Sequence, residues 1–87
     1  MMVSKEVIVK SSSGLHARPA TLLVKKASGF KSDVSIEYNG KKANVKSLIG
    51  VLSLAVTKDA AIKISASGDD EALAVEELVS LVQSLDD

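Results

Sequence analysis

The residues best suited to chemistry lie in one short stretch of this sequence, from Gly14 to Thr21. It holds the only histidine, arginine and proline among the 87 residues, and the chain has no cysteine. A lone histidine is more often a surface or structural residue than a chemical one. It is nevertheless the side chain that most readily changes its protonation near neutral pH. His16 is therefore the first candidate for a chemical role.

Pro19 indicates where the helix that carries this stretch begins. The apolar residues that follow recur at the spacing of one buried helix face, namely Ala20, Leu23, Val24 and Ala27. Proline is accepted in the first turn of a helix, where N–H groups have no intrahelical partner. The helix is therefore predicted to begin within about three residues before Pro19 and to run to about residue 28. This places His16 at or beside its N-cap.

A histidine in that position could accept and hold a phosphoryl group. Unpaired N–H groups at the positive end of a helix dipole favour anions. The same dipole favours the neutral imidazole, whose lone pair is a nucleophile. Arg18 follows two residues after His16, and its guanidinium suits the oxygens of a bound phosphate.

A short helix predicted over residues 48–54 is the second candidate site. Five aliphatic residues crowd into its seven positions, namely Leu48, Ile49, Val51, Leu52 and Leu54. Either all of them belong to the core, or some face outward as an apolar docking patch. Neighbouring residues point about 100° apart on a helix, which favours the divided arrangement. Ser47 precedes the helix and suits its N-cap.

Two segments carry a resemblance to a known family. Residues 14–21, Gly-Leu-His-Ala-Arg-Pro-Ala-Thr, resemble the active-site signature of HPr, the histidine-containing phosphocarrier family of the bacterial sugar phosphotransferase system. Residues 46–52, Lys-Ser-Leu-Ile-Gly-Val-Leu, resemble the regulatory serine motif of the family's Gram-positive type. The spacing between the two motifs also matches that family.

The resemblance implies that His16 accepts a phosphoryl group at Nδ1 from enzyme I and passes it to sugar-specific enzyme IIA domains. Arg18 would stabilise the phosphate charge, together with the backbone N–H groups of Ala17 and Arg18. The protein would then be a phosphoryl carrier rather than an enzyme with its own turnover. No organic cofactor is implied.

The resemblance also implies regulation and docking. Ser47 would be phosphorylated by the ATP-dependent HPr kinase/phosphorylase, linking the protein to a catabolite control transcription factor. Partner proteins would contact Thr21, Leu48, Ile49 and Leu52, beside the histidine. Two alternatives stay open. One is a regulatory paralogue modified only at the serine, although such paralogues lack the histidine. The other is a plain α+β binding module in which His16 is structural.

Composition excludes several other functions. Eleven basic and eleven acidic side chains give a net charge of zero, which argues against a nucleic-acid binder dominated by phosphate contacts. Without cysteine and with one histidine, the chain offers neither disulfides nor a transition-metal site. No signal peptide or membrane-spanning run is evident. We expect a cytoplasmic monomer, with residues 1–87 forming one domain.

The order of predicted elements is strand, helix, strand, strand, helix, strand, helix. The strands are expected over residues 3–10, from residue 34 to the Asn39-Gly40 hairpin turn, over 41–45 and over 61–66. The last helix is expected to follow the acidic residues 69–71. This order predicts an α+β sandwich of two layers. The resemblance adds a four-stranded antiparallel sheet, ordered first, fourth, second, third and covered on one face by three helices.

Overall fold

A computed structural model describes residues 2–10, 14–15 and 17–85 of the chain. Its elements follow the predicted order, with boundaries within about two residues of those expected. They are β1 (Met2–Ile8), α1 (Ala17–Ala27), β2 (Asp33–Tyr38), β3 (Lys41–Asn44), α2 (Leu48–Ser53), β4 (Ala61–Ser67) and α3 (Glu71–Ser84).

The four strands form one antiparallel sheet in the order β1-β4-β2-β3. This order confirms the expectation drawn from the family resemblance. The β2–β3 connection is the predicted two-residue turn, in which Asn39 and Gly40 have φ angles of 55° and 80°. Positive φ at both central positions makes a turn whose twist matches that of the flanking strands.

Alternation along the strands sorts the sheet into a buried face and an open face. Val34 and Ile36 of β2 and Ile62 and Ile64 of β4 are at most 3% exposed. Each such side chain contributes about 1.5–3 kcal/mol when fully removed from water. α3 packs on β1 and β4, and α1 packs against both α2 and α3. The alternate strand residues form the other face, which no described helix covers, so the molecule is the predicted open-faced sandwich.

The acidic start of α3 is held to the turn after α1. Asp70 is the N-cap residue of α3, but its carboxylate makes no capping bond to that helix. It accepts hydrogen bonds from the backbone N–H groups of Lys31 and Ser32, each at 2.9 Å, and from the buried Ser32 hydroxyl. The Ser32 hydroxyl and then the Lys31 N–H hold the pKa of Asp70 below its usual value, because they stabilise the charged form.

Candidate functional site

His16, the predicted phosphoryl acceptor, lies outside the described residues, but its sequence neighbours on both sides are described. Leu15 is 2% exposed, and its N–H donates to the Val56 carbonyl oxygen at 3.1 Å. Gly14 has a φ of 68°, and a Cβ there would lie 2.2 Å from the same carbonyl oxygen. Only glycine fits that close approach. The segment before His16 is therefore fixed to the loop that follows α2.

α1 begins at Ala17, two residues before Pro19, which confirms the predicted position of its first turn. Ala17 and Arg18 are exposed, whereas Pro19 and Ala20 are buried. The first-turn N–H groups of a helix have no intrahelical acceptors, and the described first turn of α1 contains no acidic side chain. The exposed start of α1 therefore offers an electropositive surface without a neighbouring carboxylate in that turn.

The exposed side of α1 carries two candidate docking residues, Thr21 and Leu22, of which the sequence predicted only the first. Thr21 is one of the residues that the sequence predicts to contact partner proteins. It is exposed, and its hydroxyl donates to the Ala17 carbonyl oxygen at 2.6 Å, which leaves its methyl group for apolar contact. Leu22 is 44% exposed and was not predicted. The sequence could have predicted its exposure, because Leu22 is a large apolar residue that lies off the buried stripe of the helix.

α2 divides its aliphatic residues between the core and the surface. Val51 and Leu54 are 0% and 6% exposed, whereas Leu48, Ile49 and Leu52 are 36%, 81% and 37% exposed. The predicted division of this helix is thus confirmed, with Ile49 as its most exposed apolar residue. Because α2 packs against α1, the exposed apolar residues of the two helices belong to adjacent elements.

Ser47 caps α2 as predicted. Its Oγ accepts a hydrogen bond from the Gly50 N–H at 3.1 Å, and its own backbone is extended, with φ −112° and ψ 112°. The residue as a whole is exposed to solvent. Lys46, immediately before it, donates from Nζ to the Phe30 carbonyl oxygen at 2.8 Å. That bond joins the start of α2 to the turn after α1.

The described residues were also compared with the requirements of a metal site and of a membrane-spanning helix. Within residues 2–10, 14–15 and 17–85, no group of three or more His, Cys, Asp or Glu side chains is arranged to hold a metal ion. No helix in the same described part of the chain is long and apolar enough to cross a membrane.

Comparison with known proteins places this fold and these motifs in one family. The family model described as "PTS HPr component phosphorylation site" matches residues 3–84. The phosphocarrier protein HPr from Bacillus anthracis superposes with a TM-score of 0.91 at 44% identity, covering 94% of this chain and 98% of that one. The histidine-containing phosphocarrier protein of Mycoplasma gives 0.87 at 35% identity, covering 91% and 90%.

A regulatory relative is similar as well. The catabolite repression protein Crh of Bacillus subtilis, described as a domain-swapped dimer, has a TM-score of 0.78 at 44% identity and covers 95% of each chain. Since the family model spans nearly the whole chain and solved phosphocarriers share its fold, this chain belongs to the HPr family of phosphocarrier proteins, non-catalytic components of the phosphotransferase system.

Proposed function

We propose that this chain relays a phosphoryl group from phosphorylated enzyme I to sugar-specific enzyme IIA domains through a phosphohistidine at His16. The observation that carries the proposal is the start of α1 at Ala17, one residue after His16, with Ala17 and Arg18 exposed. That arrangement supports an anion-binding surface formed by the residues that directly follow His16 in the sequence. We place this relay in the cytoplasm.

The transfer step needs only a neutral imidazole and groups that hold the phosphate. The lone pair of Nδ1 in His16 forms a new N–P bond as the N–P bond of the donor phosphohistidine breaks, and that electron pair returns to the donor nitrogen. Arg18 and the N–H groups of Ala17 and Arg18 stabilise the transferred charge. The exposed apolar residues of α2, with Thr21 of α1, bind the partner proteins.

Replacing the acceptor tests the relay directly. His16→Ala should abolish phosphoryl transfer from phosphoenolpyruvate and enzyme I, with an unchanged melting temperature and circular dichroism spectrum. In the parent protein the label should be lost in acid and survive alkali, as expected for phosphohistidine. Undiminished labelling of the His16→Ala variant would refute the assignment.

We propose in addition that Ser47 is a regulatory phosphorylation site for an HPr kinase/phosphorylase, with a catabolite control transcription factor as a further partner. Phosphoserine carries about −1.5 to −2 charges at neutral pH. Enzyme I brings a second anion, its phosphohistidine, to the same protein. Like charges in a partly desolvated interface cost on the order of several kcal/mol, which would slow the relay without a change of fold.

Two substitutions separate this switch from simple capping. Ser47→Asp should reduce phosphorylation of His16, and raised salt should partly restore it because exposed charges are screened. Ser47→Ala should leave the relay nearly intact and cost about 0.5–2 kcal/mol of stability, through loss of the bond from Gly50. A normal transfer rate for Ser47→Asp in low salt would leave Ser47 as a helix cap alone.

A purely regulatory role is the second candidate, because the chain is 44% identical to Crh. His16 argues against it, since the resemblance assigns such a role to paralogues that lack the histidine. The enzyme I assay also separates these functions. A regulatory protein would accept phosphate at Ser47 from ATP and the kinase, but none from phosphoenolpyruvate and enzyme I.

A further inference from the structure

The open face of the sheet carries a row of alternating charges that the phosphocarrier site does not use. Strand register places Glu6 of β1 beside Lys63 of β4, Lys63 beside Glu37 of β2, and Glu37 beside Lys42 of β3. All four residues are exposed. Among the described residues, none of the four makes an ion pair within 4.0 Å. The row therefore presents four charges, in the order minus, plus, minus, plus, to whatever approaches this face.

We propose that this face is a weak self-association surface, on which a second copy of the chain packs face to face about a two-fold axis. The axis runs parallel to the strands, between β4 and β2. It places Lys63 opposite Glu37 of the second copy and Glu6 opposite Lys42 of the second copy. Because neighbouring strands are evenly spaced, about 4.8 Å apart, all four contacts can form at once. Such an interface is self-complementary.

The charges also oppose the alternative orientation, in which the two-fold axis crosses the strands. An axis perpendicular to the strands and level with the row would lay the row over itself in the same order, with each glutamate on a glutamate and each lysine on a lysine. Like charges brought together across an interface oppose binding. An axis parallel to the strands is also compatible with the packing of twisted sheets, whose strands lie within about 30° of each other.

The neighbouring row on the same face introduces no conflict. Ser65 pairs in register with Ser4 and Ser35, and Ser35 pairs with Asn44. The proposed axis sets Ser65 opposite Ser35 of the second copy, and Ser4 opposite Asn44, so that only small uncharged polar groups meet. Ser35, Asn44 and Ser65 line a hollow of about 430 Å³ on the open face, together with Asp33. In the proposed dimer the two hollows face each other and leave room for water, which can bridge polar groups across an interface.

The size of the face sets the expected strength. Four strands of about six residues cover roughly 400 Å² of surface per copy. The total area buried by two copies therefore falls below the roughly 1,200 Å² that stable complexes bury. The association is therefore expected near millimolar concentration, and the protein is a monomer at micromolar concentration. The helices lie on the opposite side of the sheet, so the proposed phosphoryl site stays accessible in the dimer.

Dilution of the isotope-labelled full chain tests the proposal by NMR. From about 2 mM to about 0.05 mM, the amide shifts of β2 and β4 should change together, and the translational diffusion coefficient should rise. Raising the salt from about 0.02 M to about 0.5 M should weaken the association, since screening shortens the range of the charges. No concentration dependence at 2 mM, changes confined to the helices, or a slowly exchanging dimer with swapped strands would overturn it.

Charge exchange supplies the decisive variants. Lys63→Glu and Glu37→Lys should each weaken association at least about ten-fold, because each sets like charges opposite one another. The double variant with both changes restores opposite charges at every contact and should associate as the parent does. Lys58→Glu in the loop before β4 and Glu76→Lys on α3 are controls with the same charge change elsewhere. Failure of the double variant to recover, with its melting transition intact, would refute the proposed geometry.

Discussion

Ala55 adopts a left-handed backbone conformation that alanine disfavours, and replacing it with glycine should stabilise the protein. Its φ is 53°, in the turn directly after α2. Its N–H donates to the Leu52 carbonyl oxygen at 3.1 Å, so the turn closes the end of the helix in the way that a C-terminal glycine commonly does. The side chain is exposed, so the substitution leaves no cavity.

The expected gain is the difference between two effects. An L-residue other than glycine loses about 1–2 kcal/mol in the left-handed region. Glycine in turn adds conformational entropy to the unfolded chain, worth about 0.4–1 kcal/mol. Ala55→Gly should therefore raise the free energy of unfolding by about 0.5–1 kcal/mol. For a domain of this size, that corresponds to a rise of about 2–8 °C in melting temperature.

Thermal and urea denaturation measure the effect, with Ala72→Gly as the matched control. Ala72 is an exposed alanine in the first turn of α3, where the backbone is right-handed and the same change should cost up to about 0.5–1 kcal/mol. Asp59 also has a positive φ, of 67°, and Asp59→Gly should gain less because aspartate tolerates this region better. If Ala55→Gly is neutral or destabilising while Ala72→Gly loses stability as expected, the attribution of strain to Ala55 is wrong.

Three further outcomes are expected. Ile49→Glu should weaken binding to enzyme I at least about ten-fold while changing the free energy of unfolding by less than about 0.5 kcal/mol. Leu73→Glu on α3 is the control, and loss of folding in the Ile49 variant would show that Ile49 is a core residue. Arg18→Ala should slow phosphoryl transfer, again with a stability change below about 0.5 kcal/mol, and a large fall in melting temperature at normal transfer would reverse that assignment. Asp70→Asn should lower the melting temperature at neutral pH. Because the folded-state pKa of Asp70 is depressed, its contribution is present above the unfolded pKa and is lost as pH falls through the folded value, so the parent and the variant should converge in acid.

Local patterns predicted most of the fold because its elements are specified by short-range interactions. Asn39-Gly40 specified the hairpin, since few residues adopt positive φ at both turn positions. Ser47 specified the start of α2 through a bond to Gly50, three residues away. Pro19 fixed the first turn of α1 to within two residues of its observed start. In each case the cause and its effect lie within one turn of the chain.

Contacts between distant segments were not predictable in the same way. The bonds from Lys31 and Ser32 to Asp70 span 39 and 38 positions, and the acidic start of α3 alone suggested only a favourable helix dipole. The Leu15 N–H donates a hydrogen bond to the Val56 carbonyl oxygen and so fixes the segment before His16. This bond joins two loops whose sequences show no pattern that relates them. The active-site motif, residues 14–21, could be recognised from the sequence, but its contact with the loop after α2 could not.

The charged row on the open face is the extreme case, since its four members come from four different strands. No local pattern relates Glu6 to Lys63, or Lys42 to either, and a slip of one residue in any strand would move its charge to the helix side of the sheet. The register that aligns them is fixed on the other face, where the buried side chains of Ile36 and Ile64 lie directly opposite each other. The same core that places α1 and α2 on one side of the sheet thus determines the order of charges on the other. A substitution in the core that shifts this register should therefore disrupt self-association even when every surface charge is kept.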